Sequence, residues 1–195
     1  VPITLILLAS AAQTAAAQGL ADLPISVELR VGAGIPMGEF AEDDPGVGAE
    51  AGPAFSAGAL FHVSKPLSVY GAYSRTHFVC GACDATGLDD QIVDAGAEFG
   101  VQATPVRLAG VSPWLRAGGV YRQLTFSGDG DELASDPGLG FEAGGGLSVA
   151  VTRSISIAPG VRFRTYAARL DLGELPSRTI DVSQVMADVG IAFRF

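Results

Sequence analysis

The sequence predicts an all-β fold: an eight-stranded antiparallel up-and-down transmembrane β-barrel with short turns at one rim and long loops at the other. Three observations predict it. Apolar residues alternate with polar or small ones at strand spacing along most of the chain. The alternating segments are joined in turn by short connections and by long Gly/Asp-rich ones. And although 48% of the residues are hydrophobic, no run is long enough for a transmembrane helix. The clearest segment is the last, where Val185, Ala187, Val189, Ile191, Phe193 and Phe195 alternate with Gln184, Met186, Asp188, Gly190, Ala192 and Arg194. Its length suits a tilted strand that crosses a bilayer.

In chain order, Ile3 to Ala12 is an apolar run too short to span a membrane, and Ala15-Ala16-Ala17 offers an A-x-A cleavage pattern before Gln18. Residues 1–17 are expected to be a secretory signal lacking its basic start, and residues 18–195 the barrel. The first strand is expected near Ile25 to Gly34. The second, near Ala54 to Val63, turns at Ser64-Lys65-Pro66 into the third, Leu67 to His77. The fourth runs through Val93 to Gln102 and turns around Thr104 to Pro113 into the fifth, Leu115 to Arg122. The sixth, Phe141 to Val149, turns at Thr152-Arg153 into the seventh, Ile155 to Arg164. Long loops are expected after the first, third, fifth and seventh strands, with Ser127 to Pro137 unstructured by pattern and Ala167 to Arg178 as the last loop.

Alternation does not say which face is outside, and a soluble barrel with an apolar interior shares the pattern. The composition of the polar face decides. It carries Gly, Ser and charges of both signs, Lys65 is the chain's single lysine, and Gly totals 26. Such a face suits a narrow lumen, where small residues pack and charges must pair. The predicted lumen network comprises Glu28, Arg30, Asp94, Glu98, Arg116, Arg122, Glu142, Arg162, Arg164, Asp188 and Arg194. Arg forks match carboxylates in two hydrogen bonds, so the lumen is expected to be a plug. The formal charge of -9 argues against nucleic acid as a partner.

The stretches ELRVGAGIPMGEF, GFEAGGGLSVAV and VGIAFRF resemble the eight-stranded outer-membrane barrels of the OmpA/OmpX type. The resemblance covers residues 25–195. It implies a bacterial outer-membrane location, periplasmic short turns, extracellular long loops, and outer-membrane lipids and the barrel assembly machinery as partners. It also implies that Phe193 and Phe195 act as the assembly signal. No cofactor or metal is implied. The function expected is a structural or surface-exposed interaction role without catalysis. A narrow channel or small-ligand transporter is the alternative, and a lipid A-modifying enzyme comes third. What the long loops recognise is left open.

Two short motifs bear on chemistry. Cys80-Gly81-Ala82-Cys83 could be a redox pair or half a zinc site, but no second CxxC or His pair completes four zinc ligands; in an exported chain a loop-stiffening Cys80–Cys83 disulfide is the expectation. His62-Val63-Ser64 resembles the His-x-Ser element of lipid A deacylases, which implies His62 as base and Ser64 as nucleophile. Its place at the short-turn rim, inside a Ser-Lys-Pro turn, predicts a structural role instead. His77 has no partner pattern. The acidic loops lack EF-hand order, so at most weak cation binding is expected there.

Overall fold

The structure is a computed structural model that describes residues 25–42, 47–80, 91–106, 108, 110–128, 131–171 and 177–195. Its strands are β1 (Ile25–Met37), β2 (Ala49–Glu50), β3 (Gly52–His62), β4 (Leu67–Cys80), β5 (Gln91–Ala103), β6 (Val111–Gly128), β7 (Asp131–Ala134), β8 (Gly138–Ala150), β9 (Ile155–Leu170) and β10 (Arg178–Arg194). Eight of them close a barrel in the order β1-β3-β4-β5-β6-β8-β9-β10, with β10 returning to β1. Every pairing is antiparallel, and the closing seam sets Ser26 opposite Arg194 and Met37 opposite Ser183.

Side-chain parity then fixes what each face carries. Along β1, Leu29 and Val31 point outward and are 50% and 60% exposed, whereas Glu28 and Arg30 point inward and are buried. The same holds around the barrel: Phe55, Phe99, Leu115, Phe141, Val161 and Val189 are all exposed on the outer face. A continuous belt of exposed aliphatic and aromatic side chains is stable only against hydrocarbon. The closed ladder, in turn, leaves no strand edge in that belt.

The strands run further than the alternation suggested, mainly toward the long-loop rim. β9 continues to Leu170 and β10 already begins at Arg178, so both ends of the expected loop of 167–178 belong to strands. The stretch 127–137, expected to lack structure, contains β7, which pairs with β6 through Thr125 opposite Ala134. Asp136 then bridges to Arg169, so β7 occupies along β6 the place that β8 takes lower down. At the other rim β6 starts at Val111, inside the expected turn.

The reason is a reversal of polarity. Above the facing pair Thr165 and Ser183, whose hydroxyls hydrogen-bond at 2.9 Å, the outward side chains become Arg169, Thr179 and Asp181. The inward ones become Tyr166, Ala168, Leu170, Ile180 and Val182. A strand that is apolar-out in the membrane turns apolar-in above it, and a single alternating template breaks at the crossover.

Candidate functional site

The lumen is stacked in three storeys, and each strand supplies its residues at alternate positions. The middle storey is a charge belt. Arg162, on β9, donates to Glu98 at 2.9 Å, to Glu142 at 3.3 Å and to Asp188 at 2.6 Å. Arg164, two residues on, contacts Glu98 and lies 3.1 Å from Glu142. Arg30 bonds Asp188 and, at 2.9 Å, Glu28, whose second oxygen accepts from Arg116 at 2.8 Å. Arg122 donates to Asp94 at 2.7 Å. The belt therefore holds five guanidinium groups and five carboxylates, none more than 7% exposed.

Neutral side chains complete it. Tyr70 donates to Glu142 at 3.1 Å and Tyr166 to Asp94 at 2.7 Å. Gln102 accepts from Arg116 at 2.9 Å, and Gln184 donates to Asp94. Arg116 also stacks 4.3 Å from the centre of the Tyr70 ring. Tyr70, Gln102, Tyr166 and Gln184 share the lumen parity of their charged neighbours, and that parity was the signal available for adding them to the site.

Of the predicted network, Arg194 is the correction. It lines the short-turn mouth but is exposed, and no described carboxylate lies within ion-pair distance. The cause is its place as the last residue of β10, opposite Ser26 and below the belt.

The storey toward the long-loop rim is apolar. Phe40, Phe78, Ile92, Val120, Leu124, Ile180 and Val182 are at most 2% exposed and pack together. Phe40 reaches the lumen from a 3-10 turn, Gly38–Phe40, which opens on Gly38 at φ 59°, a left-handed conformation that favours glycine. Its ring meets Phe78 edge-on, centroids 5.1 Å apart. The expected lumen of small and charged residues thus describes the middle storey alone.

The storey toward the short turns is a vestibule of about 290 Å³. His62 sits in its wall between two hydroxyls, Ser26 at 2.8 Å from Nε2 and Ser68 at 2.7 Å from Nδ1. Ser64 serves the turn instead: its backbone N–H donates to the Leu67 carbonyl at 3.0 Å, and its carbonyl accepts from Leu67 at 3.2 Å. The indole of Trp114 lies between vestibule and belt, 4.8 Å from the Arg30 guanidinium. It fits because β8 and β9 offer glycine there: a Cβ at Gly160 would come within 2.2 Å of the ring, and one at Gly146 within 2.7 Å.

The remaining predicted residues are placed as follows. Phe193 and Phe195 are exposed on the outer face, and the Phe195 N–H donates to the Ile25 carbonyl at 3.2 Å. His77 lies on β4, on its outward face. Cys80 is buried at the upper end of β4. Cys83 falls outside the described residues, and with it the expected pairing; the expected signal, residues 1–17, does so too.

No protein-family profile matches the sequence, and no curated protein matches it. Solved structures do. Neisserial surface protein A superposes with a TM-score of 0.66 at 15% identity, covering 88% of this chain and 97% of that one. The fold is that of an eight-stranded outer-membrane barrel. Outer membrane protein OprG of Pseudomonas aeruginosa is similar over 89% of this chain and 98% of its own, with a TM-score of 0.56 at 12% identity. Ail, the attachment invasion locus protein of Yersinia pestis, is similar over 87% and 97%, with a TM-score of 0.51 at 14% identity. In an outer-membrane barrel of this shape the short turns face the periplasm and the long loops the exterior.

Proposed function

We propose that this protein is a closed, non-catalytic outer-membrane barrel whose working surface is its long-loop rim, in a structural or surface-exposed interaction role. The observation that carries the reading is the charge belt. Ten buried charges paired across the lumen, roofed by a packed apolar storey, fill the space an ion would need. The rigid extension of β6, β7, β9 and β10 above the lipid belt supports the same reading, because it holds the loops clear of the membrane on a folded wall. One structural neighbour, Ail, is named for attachment; an attachment role is the form of surface function we favour.

The test is electrical. Purified protein inserted in planar bilayers should show no steady single-channel current, while a variant with Arg116→Ala should show small, noisy conductance as Glu28 loses a partner and recruits water. Large, steady currents from the unaltered protein would replace the structural reading with that of a channel.

A further inference from the structure

The vestibule at the short-turn rim differs from the rest of the molecule in charge and in hydrogen-bonding character. The chain as a whole is acidic, at -9. Yet the three connections at this rim, residues 63–66, 104–110 and 151–154, contain no Asp or Glu. Lys65, Arg153 and Arg194 all line the vestibule. For Arg153 and Arg194 no carboxylate lies within ion-pair distance among the described residues, whereas every arginine of the belt above is in an ion pair. Glu28, the only acid on the vestibule wall, already has one oxygen on Arg30 and the other on Arg116.

Trp114, 2% exposed, lines the cavity, and its buried indole N–H has no partner among the described residues. The wall also carries hydroxyls, among them Ser26 and Ser68, held in place by His62. The vestibule wall thus combines hydroxyls with more positive than negative charge. Its volume lies near the lower end of small-ligand pockets, which begin at about 300 Å³. That lining suits an acceptor-rich anion.

We propose that the vestibule binds a phosphate group carried on a small hydroxyl-bearing molecule, with Arg153 and Arg194 holding the phosphate and the hydroxyl wall holding the carrier. Guanidinium forks fit phosphate oxygens in two hydrogen bonds each. The same chemistry is offered by a soluble phosphomonoester on the periplasmic side and by the headgroup of an anionic phospholipid in the adjoining leaflet.

Trp114 supplies the readout, since it is the chain's single tryptophan. With the protein in phosphatidylcholine nanodiscs, glycerol 3-phosphate should change the indole emission saturably, and glycerol should not. Arg153→Gln and Arg194→Gln should each weaken binding about tenfold, since the amide retains one neutral hydrogen bond in place of the charged fork. The double variant should show no saturation, with heat-modifiable migration on gels unchanged as evidence of folding. Arg75→Gln, on the outer face, should bind like the parent. Nanodiscs containing phosphatidylglycerol separate the sources. If the headgroup occupies the vestibule, the apparent affinity for glycerol 3-phosphate falls; if a soluble ligand does, it is unchanged. No saturable response from the parent protein, an equal response to glycerol, or parent-like binding by the double variant would overturn the proposal.

Discussion

The lower and upper parts of the β9–β10 hairpin are built from one backbone ladder and two opposite chemistries. Below the Thr165–Ser183 pair, Val161, Phe163, Val185 and Val189 face lipid while Arg162, Arg164 and Asp188 face in. Above it, Arg169 and Asp181 face water while Ala168, Leu170, Ile180 and Val182 face in. The ladder is indifferent to the change, because backbone pairing needs no particular side chain. What decides the placement of apolar residues is the surrounding solvent: outward in hydrocarbon, inward in water. The two parts also hold the lumen differently. The lower is fixed by directional ion pairs that must all be made, the upper by packing that only needs to be dense.

The comparison can be broken most forcefully at Arg162. Replacing it with Ala leaves Glu98, Glu142 and Asp188 short of a partner at once, and should lower stability by about 3–5 kcal/mol, read from urea unfolding in lipid vesicles. A loss under 1 kcal/mol would mean that water already screens the belt. In the upper lumen, Leu124→Ala removes only packing and should cost about 2–4 kcal/mol, without any gain in bilayer conductance; new conductance there would show that the apolar roof, not the belt, is the seal.

The outer face offers a sharper contrast on a single strand. Val189→Arg places a charge in the lipid belt and should cost about 2–4 kcal/mol, whereas Thr179→Arg, on the same side of β10 above the boundary, should stay within about 0.5 kcal/mol. Equal penalties would move the membrane boundary up the barrel. A modest loss is expected at the boundary itself: Thr165→Val removes the hydroxyl pair with Ser183 and should cost about 1 kcal/mol, measured by the same unfolding curves.

The fold was legible because both barrel faces in the membrane obey one period, and the terminal strand displays it from Val185 to its end. The belt residues were legible as a set for the same reason: a charged residue on the inward parity of a narrow barrel has nowhere else to go. Their partners were not. Which carboxylate Arg162 meets depends on the stagger of strands far apart in sequence, as its bond to Glu98 on the opposite wall illustrates. The upper storey escaped because Tyr166, Ala168 and Leu170 continue the inward parity of Arg162 and Arg164 with inverted polarity, so the sequence reads there as a loop. Arg194 misled through the converse: its parity is inward, but its height is that of the rim.

The belt's equal numbers of positive and negative groups have an electrical consequence. A charge carried across a membrane gains or loses about 2.3 kcal/mol for each 100 mV of potential, which is how sensor helices are moved by a field. Five guanidinium groups locked to five carboxylates have no net charge for a field to act on. A potential across the membrane can therefore tilt individual dipoles in the belt, but it supplies no force that would draw the plug out of the barrel.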